Sequence, residues 1–239
     1  MTGLFSAAFD GEGVPSAMAA ARDGIDAVLR DRGLRRSAPE DTAGSLLMGA
    51  AATATLEGDT VDPETLASGG GGATARAALG LSTELLGLVP IWRRSPLQAL
   101  ARLHSLAAAG SVGPDRLGRP GSAEGARRLQ RLAGELEKAS GTTPALAVAA
   151  IAHADIASGR PFGSHDGVVG RAVERLILVE RGVDPAAVLV PEVPHRERAV
   201  TYREALTSYA AGGAGVEAWL LYASEAFTRA AEVSPVNQR

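Results

Sequence analysis

From Val14 to Glu232 the apolar residues of this chain recur every three or four positions in one segment after another. Runs of β-branched or aromatic residues long enough to make a strand are scarce. A chain patterned this way can bury its apolar surface only by laying helix on helix, so the expected fold class is all-α. Alanine and leucine dominate and aromatic residues make up 4% of the sequence, a balance that again favours helix. At 239 residues with 46% hydrophobic side chains there is ample material for one large core. No repeat of 20 to 50 residues appears.

The punctuation marks out the expected helices. The first runs from about Val14 to Leu34 on Met18, Ile25, Val28 and Leu29, and a second from about Glu40 to a stop at Gly58. The four glycines before Ala73 mark a loop, and the helical pattern that resumes there should end or kink at Pro90. Ser95 with Pro96 reads as a cap and first helical residue, and further helices follow at about 123–140, from a Thr143 cap to Ser158, and from Val168 to Arg181. The last is apolar on most sides and is expected at the centre of the fold. The tail from Thr201 reads as two more helices, and the proline-bounded segment around His195 as an exposed loop.

Charge and cysteine usage exclude several classes. A net charge of −3 argues against a nucleic-acid or membrane-surface binder, and the pairs Arg93–Arg94 and Arg127–Arg128 read as solvated helix ends. With no cysteine there is no disulfide, thiolate nucleophile or cysteine zinc site. The first residues lack the basic start and apolar stretch of a secretory signal, so a cytoplasmic location is expected. Lys138 is the only lysine, a bias that points to a GC-rich bacterial genome.

None of the four histidines falls at a metal-ligand spacing such as i, i+4, so no metal site is expected. His153 and His104 read as core histidines, His153 bonded to a carbonyl. The turn Gly163-Ser164-His165-Asp166-Gly167 is different, because it runs straight into a helix whose first amides have no intrahelical partner. Gly163 and Gly167 would let the backbone approach a phosphate, and Arg171, one turn in, could add a charge-assisted bond.

The stretch RPFGSHDGVVGR, residues 160–171, aligns without gaps to HPFx(D/E)GNGRxxR, and the chain resembles the Fic family with its Fido fold. His153, seven residues ahead, stands where Fic proteins often have a histidine. ALARLHSLAAAG is similar to the family's LHxxL helix, YREALTSYAAGGAGVEAWL to its last helices, and Thr53, Glu57 and Gly58 match the inhibitory pattern (S/T)xxxE(G/N). The resemblance covers about 43–232. It implies a helical bundle around a central apolar helix, with an N-terminal extension over 1–40 and a Fic-like domain over 41–239 that includes the inhibitory helix 41–58. It also implies transfer of AMP from ATP to a protein hydroxyl, with a histidine base, an acidic Mg²⁺ ligand, amides and arginines on the phosphates, and an inhibitory glutamate paired with the last arginine.

The sequence departs from that pattern where the chemistry sits. Arg160 replaces the base and cannot accept a proton, and Ser164 replaces the metal-binding acid. His165 replaces a glycine, Asp166 the asparagine and Val168 the first arginine, while Pro161, Phe162, Gly167 and Arg171 remain. The stretch between Gly118 and Ser140 leaves little room for the hairpin flap that docks targets, so the flap is expected to be reduced or absent. Neither ATP nor Mg²⁺ is expected as a cofactor. The expected function is that of a pseudoenzyme or a regulatory or binding module, the alternative being a Fic-fold enzyme with His165 as a relocated base beside Asp166. Expected partners are a weakly held phosphate or nucleotide, a protein surface and a second copy of the chain, with no nucleic acid and no membrane. Glu57 and Arg171 should lie within ion-pair reach.

Overall fold

The computed structural model describes residues 5, 11–30, 39–139 and 143–237. Among these there are twelve α-helices and no strand, as the periodicity requires. No helix among them is long and apolar enough to cross a membrane.

Two helices form the axis, α8 (Ala145–Gly159) and α9 (Asp166–Glu180), joined by the turn at 160–165 and folded back along each other. The expected central helix is therefore one of a pair, and its partner is the more apolar of the two, with His153 and Asp155 as its only ionisable residues. Their apolar faces enter one large cluster that also takes in α1 (Val14–Val28) and α12 (Ala214–Glu232). The buried Trp219 of α12 donates its indole N–H to Ala150 O of α8 at 2.9 Å, so the largest core side chain leaves no polar atom unpaired.

The other helices pack around this axis. They are α2 (Pro39–Leu56), α3 (Pro63–Ala67), α4 (Ala73–Glu84), α5 (Val89–Arg94), α6 (Pro96–Ala107), α7 (Ala123–Lys138), α10 (Glu192–Glu197) and α11 (Ala199–Ala211). α2 stops where expected, with Gly58 at φ 92 and Asp59 N closing the last turn on Ala54 O at 2.9 Å.

Three local expectations are corrected. The break near Pro90 falls ahead of it, in a 3₁₀ turn at Leu85–Leu88, because a proline is tolerated in the first turn of the next helix. Ser95 stands at the N-cap of α6 but its hydroxyl makes no cap bond, and Pro144 rather than Thr143 caps α8. The segment around His195 is not an exposed loop. It forms α10, with Pro191 at its cap and Pro194 in its first turn, and His195 is fully buried. The ends expected for the first helix at Leu34 and for α7 at Ser140 lie outside the described residues.

The region between α6 and α7 holds a 3₁₀ turn at Pro114–Arg116 and a short connection, with no hairpin. That connection lies on the turn between α8 and α9, where Gly121 N donates to Pro161 O at 2.9 Å.

Candidate functional site

The turn from Arg160 to His165 is built by backbone that side chains rarely adopt. Arg160 ends α8 in the left-handed region at φ 47, and His165 precedes α9 at φ 57, conformations that glycine adopts at less cost. Phe162 is buried and stacks on the His104 ring at 4.3 Å between centroids. His104 Nδ1 accepts from Gly118 N at 3.0 Å and Nε2 lies 3.3 Å from Ser164 Oγ, which ties the α6 histidine to the turn.

Asp166 fixes the turn from the other side. Its Oδ1 accepts from Phe162 N at 2.8 Å, while Oδ2 is buried without a partner. Burial pushes this carboxyl up to about 6, against the pull of the Phe162 amide and the Arg160 charge. The carboxylate is therefore ionised near pH 7 and loses its charge as pH falls through about 6.

Arg171, one turn into α9, is the centre of the polar group facing this turn. Its Nη2 donates to Glu57 Oε1 at 2.6 Å, Nη1 to the Tyr202 hydroxyl at 3.2 Å and Nε to Thr53 Oγ1 at 3.3 Å. Glu57 and Arg171 are within the ion-pair reach that the sequence pattern anticipates. Glu57 lies so close over the start of α9 that a side-chain carbon on Gly167 would stand 2.8 Å from its carboxylate oxygen and would push that carboxylate aside. Arg160, His165, Asp166, Gly167, Arg171, Glu57 and Tyr202 line a pocket of about 260 Å³, so the fold gathers the sequence candidates at one end of α9. Such a volume takes a phosphate or sulfate more readily than a nucleotide.

Two solved structures share this architecture over nearly the whole chain. A Fic family protein from Desulfovibrio desulfuricans G20 matches with a TM-score of 0.69 at 17% identity, over 90% of this chain and 73% of that one. Fic-1 from C. elegans matches with a TM-score of 0.67 at 16% identity, over 92% and 71%. This chain has the Fic fold. No family model and no curated protein matches the sequence.

On this Fic fold the side chains present at the turn have limited chemistry. The Arg160 guanidinium stays protonated at any useful pH and cannot take a proton from a hydroxyl. Ser164 offers a neutral hydroxyl engaged with His104, not the carboxylate a hard divalent cation prefers. His165 lines the pocket, and burial lowers its pKa despite the nearby Glu57, so its ring is neutral near pH 7. Its Nε2 lies 3.1 Å from Ser111 Oγ, and its Nδ1 is buried without a partner.

A second polar group sits deeper, where sequence reasoning places only a core histidine. His153 of α8 has its Nε2 2.9 Å from the Tyr202 hydroxyl, not on a carbonyl, and its Nδ1 3.2 Å from Glu174 Oε1. His195 of α10 has its Nε2 3.1 Å from Glu174 Oε2 and its Nδ1 2.9 Å from the Tyr222 hydroxyl. Burial keeps His153 neutral against the pull of Glu174. Burial would likewise raise Glu174, but the two imidazoles hold it ionised, well below the usual carboxylate range. Glu174 and His195 are 21 positions apart and no spacing rule joins them. The one visible signal was a glutamate inside an otherwise greasy helix. A larger open concavity of about 690 Å³ lies elsewhere, lined by Trp92, Arg93, Arg94 and Arg181, and touches none of these groups.

Proposed function

We propose that this chain is a Fic-fold protein without ordinary AMP-transfer activity, acting as a regulatory or binding module with a small anion pocket occupied by its own Glu57. One observation carries the reading: the residue in the base position cannot accept a proton. Arg160 stands in the base position and the neutral nitrogen of His165 is turned away from solvent. The substitution of Ser164 for the metal-binding acid and the small volume of the pocket support it. Glu57, on the C-terminal end of α2, takes the charge of Arg171 that a phosphate would otherwise use.

A second reading keeps an enzyme, a Fic-fold transferase with His165 as its base. It draws on the unbonded Nδ1 of a neutral imidazole in the pocket wall, which a turn of the ring would expose. Incubation with ATP labelled on the α-phosphate, with Mg²⁺ and a lysate, separates the two. No label on this chain or on lysate proteins is expected, and Arg160→His alone should not create it. Strong labelling that is lost in His165→Ala would establish the second reading.

A further inference from the structure

We propose that His153, Glu174 and His195 form a closed site for one borderline divalent cation, Zn²⁺ foremost, in the centre of the helical core. One ligand atom from each lies within 4.8 Å of the others, and all three side chains are fully buried. Two ligands that share a tetrahedral cation at about 2.1 Å stand about 3.4 Å apart, so side-chain shifts of up to about 1.4 Å close the set. Two imidazole nitrogens with a carboxylate suit Zn²⁺ better than the hard cations Mg²⁺ and Ca²⁺.

The independent sign of a ligand is what the group leaves unmade. His153 Nδ1 and Glu174 Oε1 are both buried with no hydrogen-bond partner. They lie 3.2 Å apart yet out of line for a hydrogen bond, whereas the His195–Glu174 contact at 3.1 Å is in line. Two buried polar atoms that face each other without a formed hydrogen bond cost stability, and a cation between them removes that cost. The surroundings also match those of a ligand set. The outer nitrogens of both rings are held at 2.9 Å by Tyr202 and Tyr222, so once a cation takes the inner nitrogens the outer N–H groups can donate to those hydroxyl oxygens. Among the described residues no arginine pairs with the Glu174 carboxylate.

The site is distinct from the anion pocket. Tyr202 touches both, through His153 on one side and Arg171 on the other, so occupancy would steady the side chain that closes the pocket floor. Its three ligands come from α8, α9 and α10, which a bound cation would pin together.

The test uses the full chain without a histidine tag, unfolded in chelator and refolded with excess Zn²⁺ or Co²⁺. After dialysis about one equivalent of metal per chain is expected by mass spectrometry, with the visible absorption of four-coordinate Co²⁺. Glu174→Gln should lose the metal. Tyr222→Phe keeps every ligand and should fold but bind about 10- to 100-fold more weakly, and His104→Gln, at the other buried histidine, should bind as the unaltered chain does. Folded, unaltered chain that stays substoichiometric in metal would overturn the proposal, as would one equivalent retained equally by Glu174→Gln and Tyr222→Phe. Neither result bears on the labelling experiment.

Discussion

Arg171 and Arg175 stand one turn apart on α9, each 2% exposed, each paired with a glutamate and each donating to a hydroxyl of α2, yet they are built for different ends. Arg175 grips Glu192 with two nitrogens, at 3.1 and 2.7 Å, and a third nitrogen donates to Ser45 Oγ at 2.9 Å. Its partner is only 7% exposed, so the pair is sealed and saturated. Arg171 holds Glu57 by a single contact, and that partner is 33% exposed and opens on the pocket. One arginine is a rivet between helices. The other keeps a charge that a solvent-facing side chain covers and a ligand could claim.

The largest expected effect tests that contrast directly. Arg175→Ala strands a buried carboxylate and should cost about 3–5 kcal/mol in chemical denaturation. Glu57→Gln should cost about 1 kcal/mol or less, because water can reach Arg171 through the pocket. Equal losses would erase the distinction between rivet and receptor.

A smaller effect comes from Asp166, whose carboxyl is raised from 3.8 to about 6. Because the folded-state value lies above the unfolded one, folding penalises the charged form. The penalty is absent below about pH 4 and complete above pH 6, so this group removes stability as pH rises through that window, by about 3 kcal/mol at most. In Asp166→Asn that slope should vanish from denaturation curves taken across the window. The same charge opposes an anion at Arg171. Sulfate, a dianion throughout, should bind in the millimolar range near pH 7 and more tightly below pH 6. His165 and Glu57 face the same pocket, so the discriminating comparison is Asp166→Asn, which should bind tightly at both pH values, as should Glu57→Gly near pH 7. Calorimetry that finds micromolar ATP binding dependent on Mg²⁺ in the unaltered chain would show a working nucleotide site instead.

The smallest effect is at His165. Its left-handed backbone costs about 1–2 kcal/mol for a residue with a side chain, partly offset by the freedom a glycine gains on unfolding. His165→Gly should therefore stabilise the chain by about 0.5 kcal/mol, and a loss instead would mean that the Ser111 contact outweighs the strain.

Much of the site was legible because it is local. The turn from Arg160 to Gly167 and the helix behind it are contiguous, so its glycines and its side-chain chemistry could be read directly, and Thr53 and Glu57 stand one turn apart by their four-residue spacing. What was misread lay at prolines and at long range. Pro191 and Pro194 suggested a loop, whereas a proline at a cap or in a first turn leaves a short helix intact, and burial of its inner face against Glu174 and Tyr222 decided the matter.

By itself, the sequence determined that this chain builds helices, where most of them stop, and which side chains stand at the turn from Arg160 to Gly167. Periodicity, caps and residue chemistry act over a few positions and need no partner. Only the tertiary structure decided that Arg175 is sealed while Arg171 is not, and that His153, Glu174 and His195 meet. Those outcomes depend on which helix faces are pressed together and how much water they exclude, and burial sets both the protonation of Asp166 and the unmet bonds around Glu174.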